Sequence, residues 1–310
     1  MTRQPGPSLL KRWLPLLAFV LLAAALPLSP AAAQAPAPKA TTFLSVSHKG
    51  VDTPGARFDL VQSVIDLGPG ATFTVASTTA AHYLAAAEGA LSVDLDGTVE
   101  SVAAGKGIAA PAGSTLTVSN ASTTAKARLF VSSLLELGAV AAVHQPSGAG
   151  VSGVTTSRLT MSGAPAKVDV SQGGVRYDVG FTTPNHIMNQ PHLQTIVGGQ
   201  CTYKYLDNGQ VETYGPGAQV EMYVGRPGNM GTAGSTPCSF LVTWVATPGK
   251  PLTSAVPAAT TPAPAPPRTG TGIAQDRPVS SALAATGLVL VVLGASALAA
   301  VGSRRTPQAR

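Results

Sequence analysis

Between Thr41 and Gly249, Gly, Asp, Asn or Pro interrupts the chain about every ten residues, and the runs between these breaks alternate in polarity or are rich in β-branched residues. Ala90 to Leu95 stops at Asp96-Gly97, Leu116 to Val118 leads to Asn120, and Cys201 to Leu206 stops at Asp207-Asn208-Gly209. Arg128 to Ser132 and Phe240 to Val245 have the same character. Such spacing predicts an all-β sandwich or barrel. Ala80 to Ala87 is Ala-rich enough for a helix, but it runs directly into Glu88-Gly89 and reads as a strand.

A glycine-bearing turn at Ser147 to Gly153 divides this region into comparable halves. Each half passes through a strand, a glycine turn, a strand pair closed by Asp-Gly or Asn-Gly, a Gly-rich loop and final strands. The repeated order predicts a duplicated barrel, with residues 41–146 as the first and 154–249 as the second. A single barrel followed by an unrelated β-domain is the competing architecture, and it would show a different strand order in the two halves.

The formal charge of +6 is concentrated at the ends of the chain. Arg3, Lys11 and Arg12 lie near the start and Arg304, Arg305 and Arg310 near the end, leaving 14 basic residues against 14 acidic ones between them. A near-neutral body lacks the clustered cations that nucleic-acid binding needs. The two cysteines, Cys201 and Cys238, show no metal-ligand spacing and are expected to form a disulfide.

The basic start, the apolar run Trp13 to Leu28 and Ala31-Ala32-Ala33 have the three-part layout of a signal peptide, residues 1–33, cleaved after Ala33. An uncleaved N-terminal helix is the alternative. Residues 34–40 form a short spacer, and residues 250–281, rich in Pro, Ala and Thr, form a stalk. Leu283 to Val301 is apolar, uncharged and long enough for one membrane span, and the arginines after it place that end in the cytoplasm. The body is therefore expected on the outer face of the cell envelope.

Leu283-Ala284-Ala285-Thr286-Gly287, with the span and basic tail behind it, resembles the LAxTG variant of the sortase sorting signal of high-GC Gram-positive bacteria. That resemblance implies cleavage between Thr286 and Gly287 and covalent attachment to the cell wall. A plain single-pass membrane anchor is the other reading. Sortase, and the wall or membrane, are the partners implied.

The foldable region resembles the cupins. Gly105, Pro111, Gly113 and Asn120 stand at the spacings of the second cupin motif, with Leu116 where that motif has histidine. The first motif ends at Gly89, which puts His82 at its glutamate position and Val75 to Thr78 where its paired histidines belong. The resemblance therefore implies two jelly-roll barrels, the first without its metal ligands, since aliphatic side chains cannot replace imidazole and carboxylate.

In the second half, Gly199 places His192 at the glutamate position, with His186 and Met188 at the two histidine positions. Gly217, Tyr223, Gly225, Gly228 and Thr232 fall along its second motif, with Gly228 at the histidine. His186 and His192 are thus the candidate ligands for a divalent metal, with Glu221 or a backbone carbonyl needed to complete the set. Cys201, Tyr203 and Tyr205 alternate on one strand face with Tyr214 and Tyr223 nearby, a row that packs as core or receives a sugar or other small ring.

No G-x-S-x-G elbow, no positioned carboxylate pair and no phosphate-binding glycine loop occurs, so no catalytic residue is assigned. The leading expectation is a surface-displayed, non-enzymatic binding or structural module with a small-molecule or sugar ligand. The alternative is a metal-dependent cupin enzyme, an oxygenase or isomerase, working through the second barrel.

Overall fold

The turn-bounded runs become strands. The computed structural model describes residues 37–221 and 224–257. The signal segment, most of the stalk and the LAATG span therefore lie outside the described residues. No helix among the described residues is long and apolar enough to cross a membrane.

The first half contains β1 (Ala40–Asp52), β2 (Arg57–Leu67), β3 (Thr72–Val75), β4 (His82–Glu88), β5 (Leu91–Leu95), β6 (Thr98–Val102), β7 (Gly107–Ala110), β8 (Leu116–Asn120) and β9 (Ala127–Leu135). The second contains β10 (Val151–Ser162), β11 (Lys167–Tyr177), β12 (His186–Met188), β13 (His192–Gly198), β14 (Gln200–Tyr205), β15 (Val211–Tyr214), β16 (Gln219–Glu221), β17 (Pro227–Ala233) and β18 (Cys238–Ala246). A 3-10 turn, Ala142–His144, lies between the halves.

Four sheets result, with strand orders β10-β2-β9-β4-β7 and β3-β8-β5-β6 in the first barrel, and β1-β11-β18-β13-β16 and β15-β14-β17-β12-β19, where β19 is Thr253–Ala255, in the second. Adding nine to each strand number of the first barrel gives the second, apart from the first strands and the added β19. Two antiparallel sheets in this order make a jelly roll, and the repeated order rules out an unrelated second β-domain.

The first strands are exchanged. β1 runs antiparallel to β11, from Ala40 opposite Tyr177 to Asp52 opposite Lys167, and β10 runs along β2, from Val151 opposite Leu67 to Ser162 opposite Arg57. The chain-order division at 41–146 and 154–249 is thus crossed twice in space. Equivalent aspartates pin both strands. Asp59, buried on β2, meets the Arg158 guanidinium of β10 and accepts from Thr160 Oγ1 at 2.7 Å and the Gly138 amide at 2.8 Å. Asp169, on β11, accepts from Lys49 Nζ of β1 at 2.8 Å and from the Gly50 amide at 3.0 Å.

The two five-stranded sheets pack back to back, so their strands are buried on both faces. This is why β2 and β9 are nearly continuous in buried residues, whereas β8 on an outer sheet alternates buried with half-buried positions. Phe58, Leu60, Leu134, Val168, Val170 and Leu193 fill the joint. Polar side chains cross its middle. Gln62 pairs Ser132 along β2–β9, Gln172 pairs Thr243 along β11–β18, and Ser132 Oγ and Thr243 Oγ1 meet at 2.6 Å. Gln172 Nε2 donates to Ser132 Oγ at 2.9 Å, and Gln62 Nε2 to Thr195 Oγ1 at 2.8 Å.

Each barrel has its own interior. Val61, Leu84, Leu91, Leu116, Leu129 and Val131 are among the side chains closing the first. Tyr177, Tyr203, Tyr205, Met230 and Phe240 belong to the second. Cys201 of β14 and Cys238 of β18 form a disulfide with Cα atoms 5.3 Å apart, joining the two sheets of barrel 2. Gly89 and Gly199 end β4 and β13 with φ of +71° and +64°. A Cβ at Gly199 would also collide with the Pro237 carbonyl.

The stretch expected to open a stalk at residue 250 still belongs to the fold. Thr253–Ala255 forms β19, which pairs with β12 from His186 opposite Ala255 to Met188 opposite Thr253. A short edge strand carries unpaired backbone groups, and this segment satisfies them.

Two stability measurements check these contacts. Reducing the disulfide, which closes a separation of 37 residues, is expected to lower the stability of the folded body by about 4 kcal/mol in urea unfolding. Asp59→Asn is expected to cost about 2 kcal/mol and more than Asp169→Asn, because Asp59 is 3% exposed while the Lys49 partner of Asp169 is 72% exposed. Equal losses in the two variants would contradict the assigned roles.

Candidate functional site

The cupin-motif positions of barrel 1 hold structure together. Val75 and Leu116 are opposite each other on β3 and β8 and are buried in the aliphatic interior. Asn120 ends β8 with its Nδ2, which has two hydrogens to share, within reach of three carbonyls, those of Leu67 at 3.1 Å, Gly68 at 2.9 Å and Ala125 at 2.8 Å. Thr232, its counterpart on β17, donates to the Asp178 carbonyl at 2.8 Å. Asn120 is opposite Leu91, and Thr232 opposite Cys201.

His82 does not stand alone. It opens β4, opposite Ser133 on β9, and the 3-10 turn brings His144 against the same serine. His82 Nδ1 lies 2.6 Å from Ser133 Oγ, and His144 Nε2 lies 2.8 Å from it. His144 Nδ1 is 2.8 Å from Ser63 Oγ, which is 2.8 Å from Thr156 Oγ1, and that hydroxyl donates to the His144 carbonyl at 3.1 Å.

That last bond orients the whole chain. A carbonyl can only accept, so the Thr156 proton is committed and Ser63 donates to Thr156. Ser63 then accepts from His144 Nδ1–H, leaving His144 Nε2 to accept from Ser133, which in turn accepts from His82 Nδ1–H. Both imidazoles are neutral with protons on Nδ1. Burial pushes His82 down to about 4. Burial, with the nearby His82 and Arg158, pushes His144 down to about 3. His82 Nε2 is buried with no partner. Sequence reasoning missed this group because Ser63, His144 and Thr156 carry no common spacing.

His192 is the barrel 2 counterpart of His82, opening β13 opposite Trp244 where His82 faces Ser133. Its ring stacks on Trp244 with centroids 3.7 Å apart, and its Nδ1 donates to the Gln190 carbonyl at 3.2 Å. Burial pushes it down to about 3, against the opposing pull of the Gln190 carbonyl. His186 is half-exposed on β12, with Nδ1 donating to the Pro184 carbonyl at 2.8 Å. It lines a narrow space with Met188, Tyr205, Arg226 and Met230.

Glu221 lies elsewhere, lining a cleft with Glu212 and Ser157. Gly228 offers no side chain. Among the described residues no group of three or more His, Cys, Asp or Glu is placed to hold a metal ion. A cupin metal needs at least three protein ligands, and these residues do not fit one.

The tyrosine row is largely core. Tyr203 is 1% exposed and its hydroxyl donates to Gln194, while Tyr205 lies beneath the Arg226 guanidinium at 3.7 Å. The hydroxyls of Tyr205 and Tyr214 both donate to Glu212 Oε2, at 3.1 and 2.5 Å.

No protein-family model matches the chain, and no curated protein matches it. Among solved structures it is similar to Bacillus subtilis oxalate decarboxylase, at 11% identity and a TM-score of 0.46, over 70% of this chain and 80% of that one. It is also similar to a cupin 2 conserved barrel domain protein from Leptotrichia buccalis, at 11% identity and a TM-score of 0.34, over 65% of this chain and 88% of that one. These neighbours are cupin-fold proteins. The double jelly roll described above rests on this chain's own strand order.

The buried histidines set an acid limit. Unfolded, each titrates near 6.5; folded, His82 does so at about 4 and His144 and His192 at about 3. The unfolded chain therefore binds protons that the native one refuses, so stability is full above pH 6.5 and declines as pH falls towards 4. At pH 5 the loss is about 2 kcal/mol per histidine. Urea midpoints measured from pH 7.5 to 5 should fall accordingly, and a flat profile would contradict the neutral assignments.

Proposed function

We propose that the chain is a metal-free double cupin displayed at the bacterial cell surface, where it works as a non-enzymatic binding or structural module. The observation that carries this reading is the content of the barrels. Aliphatic side chains fill the first at Val75 and Leu116, and the second offers His186 and His192 with no third ligand among the described residues. His192 stacks on Trp244 and donates from Nδ1 to Gln190, with Nε2 buried and unpartnered, so its role in this reading is packing.

The location part of the proposal draws on the ends of the chain. A basic, apolar and small-residue start fits export, and LAATG at 283–287 before an apolar run and arginines fits retention by a sortase or by the membrane. A disulfide in barrel 2 suits an oxidising exterior. The near-neutral body suits a module that recognises a ligand by local contacts.

Three measurements on the full chain test the proposal. Protease added to intact cells is expected to remove the barrels, and Thr286→Ala to shift the protein from the wall fraction to the membrane or medium. Purified chain soaked with iron, manganese and zinc is expected to hold far less than one metal per molecule. Near-stoichiometric metal, lost in both His186→Ala and His192→Ala, would replace this reading with a metal-dependent enzyme.

A further inference from the structure

The chain leaves β9 at Leu135 and enters β10 at Val151, and the 3-10 turn lies in the stretch between. Ala141 and Val143 pack into the aliphatic interior of barrel 1, and His144, buried as they are, goes in beside them. Yet among the described residues no backbone group of residues 136–147 pairs with the backbone of a strand. The bonds are local, from the amides of Ala139, His144 and Gln145 to the carbonyls of Glu136, Ala141 and Ala142. Side chains make the rest of the attachment. Asp59 accepts from the Gly138 amide, Arg158 Nη2 donates to the Ala139 carbonyl at 2.7 Å, Thr156 donates to the His144 carbonyl, and the His144 ring bonds Ser63 and Ser133. The matching stretch of barrel 2, which follows β18, is attached by backbone, since β19 pairs with β12 and the Asn189 amide donates to the Leu252 carbonyl at 2.9 Å.

The His144 ring fits its place only while neutral. Its Nε2 is the acceptor that the Ser133 hydroxyl uses, and Ser133 already receives the His82 Nδ1 proton. A second proton on His144 would aim two imidazole N–H groups at Ser133 Oγ and leave the hydrogen of that hydroxyl without its acceptor. Placing the proton on His82 instead gives no relief, because His82 Nε2 is buried without a partner. The two rings stand 6.0 Å apart, edge to face.

The charged and titratable groups facing the turn are His82 of β4, Asp59 of β2 and Arg158 of β10, while β9 offers the Ser133 hydroxyl and Glu136 is exposed at the start of the stretch. Burial works against a charge on Asp59, but the Gly138 amide, Thr160 and Arg158 together hold its carboxyl below the usual range. It is already paired with Arg158, so it is not left to face an imidazolium. A charged His144 would be buried and unpaired, in a stretch that no strand pairing retains.

We propose that residues 136–147 form an acid-released plug: protonation of His144 frees the stretch and uncovers the interior of barrel 1 while the strands stay paired. The inference goes beyond the binding-module reading and does not depend on it. In place, the ring titrates at about 3, through burial and the nearby His82 and Arg158; released into water, it titrates near 6.5. The open form therefore binds a proton that the closed form refuses, and from pH 7.5 to 5 the open fraction rises about 30-fold. His192 supplies the contrast within the molecule. It is buried and titrates as low, but its ring stacks on Trp244 of β18 and bonds Gln190, two residues before it.

The test is hydrogen–deuterium exchange of the full chain at pH 7.5 and pH 5, read by mass spectrometry and corrected for the pH dependence of the chemical exchange rate. Residues 136–147 are expected to exchange about 30-fold faster at pH 5, while β4, β9 and Thr253–Ala255 keep their protection. His144→Gln, which cannot take up the proton, should remove that dependence. His192→Phe, which keeps a ring against Trp244, should leave it intact. Unchanged protection of residues 136–147 at pH 5, or exchange that rises only together with β4 and β9, would overturn the proposal. So would an acid response that survives His144→Gln or disappears with His192→Phe. Should His144→Gln not fold, the comparison of the stretch with β4 and β9 in the unaltered chain decides alone.

Discussion

Everything in this molecule follows from two five-stranded sheets that press against each other while each also closes a barrel. A strand in such a sheet has no face left for water, so β2, β4, β9, β13 and β18 must be apolar along their whole length or find partners for the polar groups they bury. The chain is apolar along most of these strands and pairs its central hydroxyls and amide nitrogens, while Gln62 Oε1 and Gln172 Oε1 stay buried without a partner. Phe58, Leu60, Val168 and Leu193 remove apolar surface from water, while Ser132, Thr243, Gln62 and Gln172 hydrogen-bond at the centre. A buried polar set of this kind does less for stability than for registration, because a slip of one residue along either sheet would strand each amide against an aliphatic wall.

With the backbone fixed, the two barrels have used their interiors differently. Barrel 1 is sealed by Leu and Val, and its one polar strand of chemistry is the one-directional chain from His82 through Ser133, His144 and Ser63 to Thr156. Barrel 2 is packed with tyrosines and methionine and held by a disulfide, and Leu91 and Ala127 occupy the matching places in barrel 1. His82 and His192 show how one position serves two cores. A serine partner draws the first into a hydrogen-bonded chain, and Trp244 makes the second a stacked slab.

Much of the fold was legible because its signals are local. Gly or Asp-Gly breaks mark strand ends, and the glycines that end β4 and β13 need a backbone region closed to other residues. The pairing of Asn120 with Thr232 was visible from motif spacing, and both now close their barrels through backbone carbonyls. The exchange of β1 and β10 was not legible, since a strand reads the same whichever barrel it joins. Nor was β19, because Pro251 and Thr253 to Ala255 share the composition of the sequence that follows. The histidine chain draws on segments as distant as Ser63 and Thr156, and only packing brings such groups together.

The exchanged strands also dictate timing. β1 is the first part of the body to be synthesised, yet its partner β11 lies about 120 residues further along, as the Lys49–Asp169 separation of 120 shows. Barrel 1 in turn lacks its outer strand until β10 has been made. Neither barrel can be completed by its own sequence, so a nascent chain must keep its first half open until the second arrives. Long-range pairing of this kind slows folding and leaves an unpaired edge waiting. The two barrels are therefore a single folding event, and a cut between them would yield two incomplete halves instead of two domains.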